Sequence, residues 1–182
     1  MDEQLEFVKE IAHRLDSAGI PYMLTGSLAI AVYAVPRMTR DIDVVVEVTP
    51  KDTKRFAELF SKDCYVDEDT VRDAISSRTM FNVIHNRWII KAYFIVRKDD
   101  PYREAEFARR RHIEVAGTRV AIVAPEDLIL SKLIWAKESQ SELQQRDVVQ
   151  LMQSVKDLDW PYLERWAVTL GVPDDLKNAR SA

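Results

Sequence analysis

Leu24-Thr25-Gly26-Ser27, running through Leu28 to Val35 into Arg37-Met38-Thr39-Arg40-Asp41-Ile42-Asp43-Val44-Val45-Val46, is the stretch that decides the reading of this 182-residue chain. Tyr22, Met23 and Leu24 predict a short apolar strand, and the apolar run from Leu28 to Val35 predicts a helix after Gly-Ser. A basic turn then leads to a strand that begins Asp-Ile-Asp. Side chains alternate along a strand, so Asp41 and Asp43 share one face while Ile42, Val44 and Val46 point into a core. The two aspartates lie roughly 6.6 Å apart along the strand, close enough for both carboxylates to reach one hard cation. Gly-Ser at the mouth of a helix is where backbone N–H groups and the helix dipole meet a phosphate. An acid pair beside a phosphate cradle is a nucleotide site in outline.

Composition narrows the class. Hydrophobic residues make up 47% of the chain, an ordinary share for a folded globule with its own core. Lys and Arg number 26 against 30 Asp and Glu, a net charge of −4, which argues against bulk, sequence-blind binding of nucleic acid but leaves room for a local basic cleft. Cys64 stands alone, so no disulfide framework and no cysteine metal site is expected. The acidic start Met-Asp-Glu-Gln-Leu-Glu is unlike a signal peptide, and no apolar run approaches a membrane span. The expectation is a soluble, cytoplasmic protein.

Around the deciding stretch, Leu5, Val8, Ala12 and Leu15 recur at helical spacing before Gly19 and Pro21. Thr49-Pro50 restarts a helix with Phe56, Leu59 and Phe60 on its core face. Residues 61–77 read as a strand piece and a short helix. Met80–Ile84 and Trp88–Val96 read as two strands joined by His85-Asn86-Arg87, with Ile90, Ala92, Phe94 and Val96 on one face of the second and Lys91, Tyr93 and Arg97 on the other. Asp100-Pro101 opens a helix to about Arg109, and Ala116-Gly117 turns a hairpin between Arg111–Val115 and Thr118–Val123. From Pro125 onward the pattern is helical: two acids in a first turn, a capping box at Ser141-Glu142-Leu143-Gln144, then helices carrying Tyr162, Leu163 and Trp166 and beginning at Pro173. The class is α+β, a mixed-sheet core flanked by helices over 1–124 and a small helical bundle over 125–182.

Gly26-Ser27, a helix, and Arg37-x-Thr39-x-Asp41-x-Asp43 together resemble the signature of the DNA polymerase beta-like nucleotidyltransferase superfamily. More narrowly they are similar to a small prokaryotic branch that includes toxin-type nucleotidyltransferases of the abortive-infection kind. Pro125-Glu126-Asp127-Leu128-Ile129-Leu130-Ser131-Lys132-Leu133, followed by Ser141-x-x-Gln144-x-x-Asp147, matches the same branch. The resemblance implies metal-dependent transfer of a nucleoside monophosphate from an NTP to an acceptor hydroxyl on a tRNA end, a protein or a small molecule such as an antibiotic. It implies Mg²⁺ or Mn²⁺ on Asp41 and Asp43, and a triphosphate against Gly26, Ser27, Arg37 and Thr39. Lys132 is then a candidate charge for the terminal phosphates, paired across helices with Asp147. A partner protein, as half of a toxin–antitoxin pair, is a further expectation of that branch.

One position departs. Relatives carry a third carboxylate on a later strand, facing the first pair, and the matching position here is Tyr93. A phenol keeps its proton at neutral pH and is a poor Mg²⁺ ligand, and losing general-base assistance typically costs ~10²- to 10⁴-fold in rate. Glu47 shares the face of Asp43 but lies roughly 13 Å along the strand, too far to substitute; Asp63, Asp67, Asp99 and Glu114 have no place assigned by the sequence. The alternative reading is therefore a weakened nucleotide-binding module that acts through protein contacts. Other signals read as structural: Arg109-Arg110-Arg111 as a solvated helix end, His13, His85 and His112 as ordinary histidines, and Trp135, Trp160, Tyr162 and Trp166 as bundle core.

Overall fold

A computed structural model describes residues 2–36 and 39–182. Seven strands form one mixed sheet: β1 (Tyr22–Thr25), β2 (Ile42–Val46), β3 (Cys64–Tyr65), β4 (Met80–His85), β5 (Lys91–Val96), β6 (Arg111–Val115) and β7 (Thr118–Ile122), in the order β3-β4-β5-β2-β1-β7-β6. β2 runs antiparallel to β1 and parallel to β5, and β1 runs parallel to β7. Around the sheet lie α1 (Asp2–Ser17), α2 (Gly26–Tyr33), α3 (Thr53–Phe60), α4 (Glu68–Ser77) and α5 (Pro101–Ala108), followed by α6 (Pro125–Ser139), α7 (Glu142–Ser154), α8 (Trp160–Thr169) and α9 (Pro173–Arg180). The α+β class and the mixed sheet expected from the sequence are borne out.

Alternation in the central strands does what the pattern requires. Ile42, Val44 and Val46 of β2 and Ala92, Phe94 and Val96 of β5 are fully buried. Against them α3 presents Phe56 and Phe60, and with Phe81 and Phe94 these rings form one cluster at centroid distances of 5.0–5.5 Å. The opposite face of β2 and β5, carrying Asp43, Val45, Lys91, Tyr93 and Ile95, is only half-buried. That uneven cover leaves a cleft.

Several local expectations shift. The helix after Gly-Ser begins at Gly26 and ends at Tyr33, earlier at both ends than the apolar run suggested. The second central strand begins at Lys91, because Ile89 takes a left-handed φ of 53° and bends the chain out of line. Thr49 and Asp52 form a reciprocal capping box, but around a 3₁₀ turn (Pro50–Asp52) that precedes α3. At α7 the expected capping box is absent: Ser141 makes no side-chain cap bond, and Gln144 Oε1 instead accepts a 2.8 Å bond from Lys132 Nζ.

Arg109, expected in solvent, is a structural clamp. Its Nε donates to Asp127 Oδ2 (3.1 Å) and its NH2 to Glu126 Oε2 (3.0 Å), while its guanidinium lies 3.8 Å from the Tyr162 ring centroid. Tyr162 donates its hydroxyl to the other Asp127 oxygen at 2.6 Å. The two acids in the first turn of α6 therefore bolt α5, α6 and α8 together. Cys64, Asp63 and β3 are held similarly to α1, where Arg14 bridges Asp63 and Glu10.

Burial pushes the Asp127 carboxyl above its ordinary value, against the opposing pull of Tyr162 and Arg109. A carboxyl raised in this way stabilises the fold when protonated and costs stability as rising pH ionises it. Arg109→Met is expected to lower the unfolding free energy by about 2–3 kcal/mol near neutral pH. The deficit should shrink as pH falls and Asp127 takes up its proton; urea unfolding at neutral and at mildly acidic pH checks both statements.

Candidate functional site

Four of the residues singled out in the sequence converge on one hollow. Gly26, Ser27, Asp43 and Lys132 line it, with Thr25, Ile95, Leu128, Ser131, Trp135 and Gln144, around a volume of about 200 Å³. β1 delivers Gly26 and Ser27 to its mouth, β2 delivers Asp43, and α6 and α7 close the other side. α2 packs on both of those helices.

Gly26 is required twice over. Its φ of +64° lies in the left-handed region, and a Cβ built there would stand 2.0 Å from Asp43 Oδ2. The carboxylate of Asp43 is thus seated against the backbone at the first turn of α2. Ser27, one residue on, is buried at the same turn, where helix N–H groups point outward without intrahelical partners.

Strand register sets a second row. Thr25 is opposite Asp43, Asp43 is beside Tyr93, and Tyr93 is opposite Asn82. Tyr93 therefore occupies the position adjoining Asp43 on the same face, at the ~4.8 Å separation of neighbouring strands. Lys91 Nζ donates to the Tyr93 hydroxyl at 3.3 Å. Tyr93 is not among the residues lining the hollow, and neither are Asp41 and Thr39. Asp41 falls just ahead of β2 instead of opening the strand; it is exposed, and its backbone N–H donates to Thr39 Oγ1 at 3.3 Å. Arg37 lies outside the described residues.

Lys132 is no solvated helix lysine. It is 5% exposed and bonds Asp147 Oδ2 at 2.8 Å as well as Gln144, and Asp147 is 2% exposed. The cross-helix pairing expected of these two residues is present. Its charge is shared between the wall of the hollow and the α6–α7 junction, a buried pair whose rupture would be costly.

None of the acids weighed as stand-ins for a third carboxylate lines the hollow. Asp63 pairs with Arg14, Asp67 caps α4 through Thr70 N–H, Glu47 and Asp99 pair with Arg97, and Glu114 is exposed on β6. Sequence reasoning missed Trp135. It was read as bundle core, yet it is 51% exposed and lines the hollow. Its place one turn beyond Lys132 was the available signal, since residues three apart share a helix face.

Comparison with known proteins bears on the family and the fold. The sequence model of the aminoglycoside-2''-adenylyltransferase family matches residues 7–127. No curated protein matches the chain. Among solved structures, an antigenic nucleotidyltransferase-like protein from Paracoccidioides brasiliensis superposes with a TM-score of 0.65 at 18% identity, over 100% of this chain and 93% of that one. The lincosamide antibiotic adenylyltransferase LnuA, bound to lincomycin, gives 0.55 at 11% identity, over 85% of this chain and 98% of its own. The solution structure of the antibiotic-resistance factor ANT(2'')-Ia gives 0.51 at 18% identity, over 99% of this chain and 90% of its own. With a nucleotidyltransferase-like fold and a family match across most of the sheet, the chain belongs to the aminoglycoside-2''-adenylyltransferase family.

Proposed function

We propose that the protein transfers a nucleoside monophosphate from an NTP to an acceptor hydroxyl, with the nucleotide seated in the hollow between β1, β2 and α6. The convergence of Gly26, Ser27, Asp43 and Lys132 carries this reading. The N-terminus of α2 offers unpaired N–H groups to phosphate oxygens, and Gly26 lets them approach closely. Lys132 adds positive charge from the opposite wall. Trp135 offers a half-exposed aromatic face on which a base can stack.

The donor set fits a hard divalent cation. Mg²⁺ is commonly bound through one or two carboxylates plus substrate phosphates, and Asp43, with Asp41 just ahead of β2, would hold it; Mn²⁺ suits the same oxygens. When bound, such an ion supplies charge neutralisation at the phosphates. In the transfer, the acceptor oxygen bonds to the α-phosphorus, the bond to the bridging oxygen breaks, and pyrophosphate leaves with the electron pair. The acceptor proton must go to a base. At the adjoining position Tyr93 offers a phenol, so that proton passes to solvent and the reaction is slow.

Tyr93 also favours a second reading, in which the nucleotide binds without turnover and the output is a protein contact. Incubation with α-labelled NTPs and Mg²⁺ or Mn²⁺, with pyrophosphate release as the readout, separates the two. Binding without pyrophosphate across all acceptors supports the module, and no binding at all overturns both.

Three variants sharpen the test. Tyr93→Asp is expected to raise the transfer rate by about 10²-fold or more if a missing base limits it; an unchanged rate would remove that account. Gly26→Ala is expected to abolish nucleotide binding, read as loss of the tryptophan fluorescence quench on adding ATP, while Trp135→Ala removes most of the quench itself.

A further inference from the structure

The hollow continues into a second lobe. Thr25, Ile95, Ser131 and Trp135 line both, and the second has a volume of about 310 Å³. That size is at the lower end of small-molecule sites. It extends from the nucleotide hollow along β2 and β5 toward α5, so it is where an acceptor would lie.

Its chemistry is one-sided. Arg78, Arg97, Lys98 and Arg103 all line it. Among the described residues the one carboxylate on its wall is Glu106, which is 3% exposed and already bonded by Arg103 NH1 (2.7 Å) and Ser131 Oγ (2.8 Å). Glu47, Asp99 and Glu104, the carboxylate partners of Arg97, with Asp99 also paired to Arg78, are turned to solvent at 45–63% exposure and do not line the lobe, so Lys98 is the lining cation with no ion pair among those described. Lys98 is exposed at the rim. Val45, Met80, Ile95 and Trp135 provide an apolar floor, with Met80 47% exposed.

Aminoglycosides, which give the family its name, carry several ammonium groups. Such a ligand needs carboxylates to receive them, and like charges set against each other cost several kcal/mol. On the reading that nucleotidyl transfer occurs in the first lobe, we infer that the acceptor is a small, partly apolar molecule bearing negative charge, and that amino sugars are excluded. The apolar body would cover Met80 and Ile95, and its anionic group would meet the cations at the rim.

Calorimetric titration with 1-naphthyl phosphate, with its cationic counterpart 1-naphthylmethylamine, and with tobramycin tests this. The phosphate ester is expected to bind at least about tenfold more tightly than either cation, a difference of about 1.4 kcal/mol. Added salt should weaken it. Lys98→Glu and Met80→Glu, both on the second lobe, should each weaken binding at least about threefold, while Arg146→Ala, an exposed change on α7 away from both lobes, leaves it intact. Tobramycin or the amine binding as tightly as the ester overturns the inference. So does failure of the ester to bind at millimolar concentration, or binding by Lys98→Glu and Met80→Glu that is as tight as that of the unsubstituted protein. ATP binding is titrated separately, so its failure would sink the transfer reading while leaving the charge preference of the lobe measured.

Discussion

The carboxylate of Asp43 occupies the space that a side chain at residue 26 would need. From that single steric exclusion follow the glycine, its left-handed backbone, the sharp passage from β1 into α2, and the placing of an acid beside the open N–H groups of a helix. The contact is held from both sides. Antiparallel pairing sets Thr25 opposite Asp43, and the fully buried alternation of Ile42, Val44 and Val46 forbids a one-residue slip, which would turn the acid into the aromatic core.

The opposite wall depends on charge. α6 buries residues on nearly every side, including Glu126, Asp127 and Lys132. Glu126 and Asp127 share one counter-charge, Arg109 after α5, and Lys132 finds its own in Asp147 on α7. Apolar contacts alone would allow a helix so evenly buried to rotate or slide, whereas ion pairs to two different elements favour one setting. That setting directs Ser131, Lys132 and Trp135 into the cleft.

Much of this was legible in the chain. Period-two alternation in β2 and β5, the Gly-Ser break and the Pro-started helices are local signals, and they placed the sheet and its faces correctly; Gly26, Ser27 and Asp43 meet at one hollow, whereas Asp41, Thr39 and Tyr93 do not line it. The pairing of Lys132 with Asp147 was an expectation of the family resemblance. What was not legible depended on which neighbour a side chain would meet. Gln144 looked like a capping residue because its sequence neighbours fit that motif, but a buried ammonium drew it away from the helix end. Arg109 looked solvated because three arginines in a row usually are, and only the fold brings two buried acids to it. Trp135 looked like core by type, yet the sheet face it overhangs is the one left uncovered.

The strand that carries the glycine draws its two neighbours from distant parts of the chain: residues 42–46 on one side, and on the other the hairpin ending at Ile122, whose successor Val123 donates its N–H to Leu24 O. A polypeptide emerging from its N-terminus thus synthesises the Gly-Ser corner early but cannot brace it until nearly a hundred further residues have followed. Until then the corner has an unpaired edge, the kind of edge that recruits stray strands. For this architecture the hollow is completed late in folding, and cutting the gene anywhere before that hairpin would leave it unbuilt.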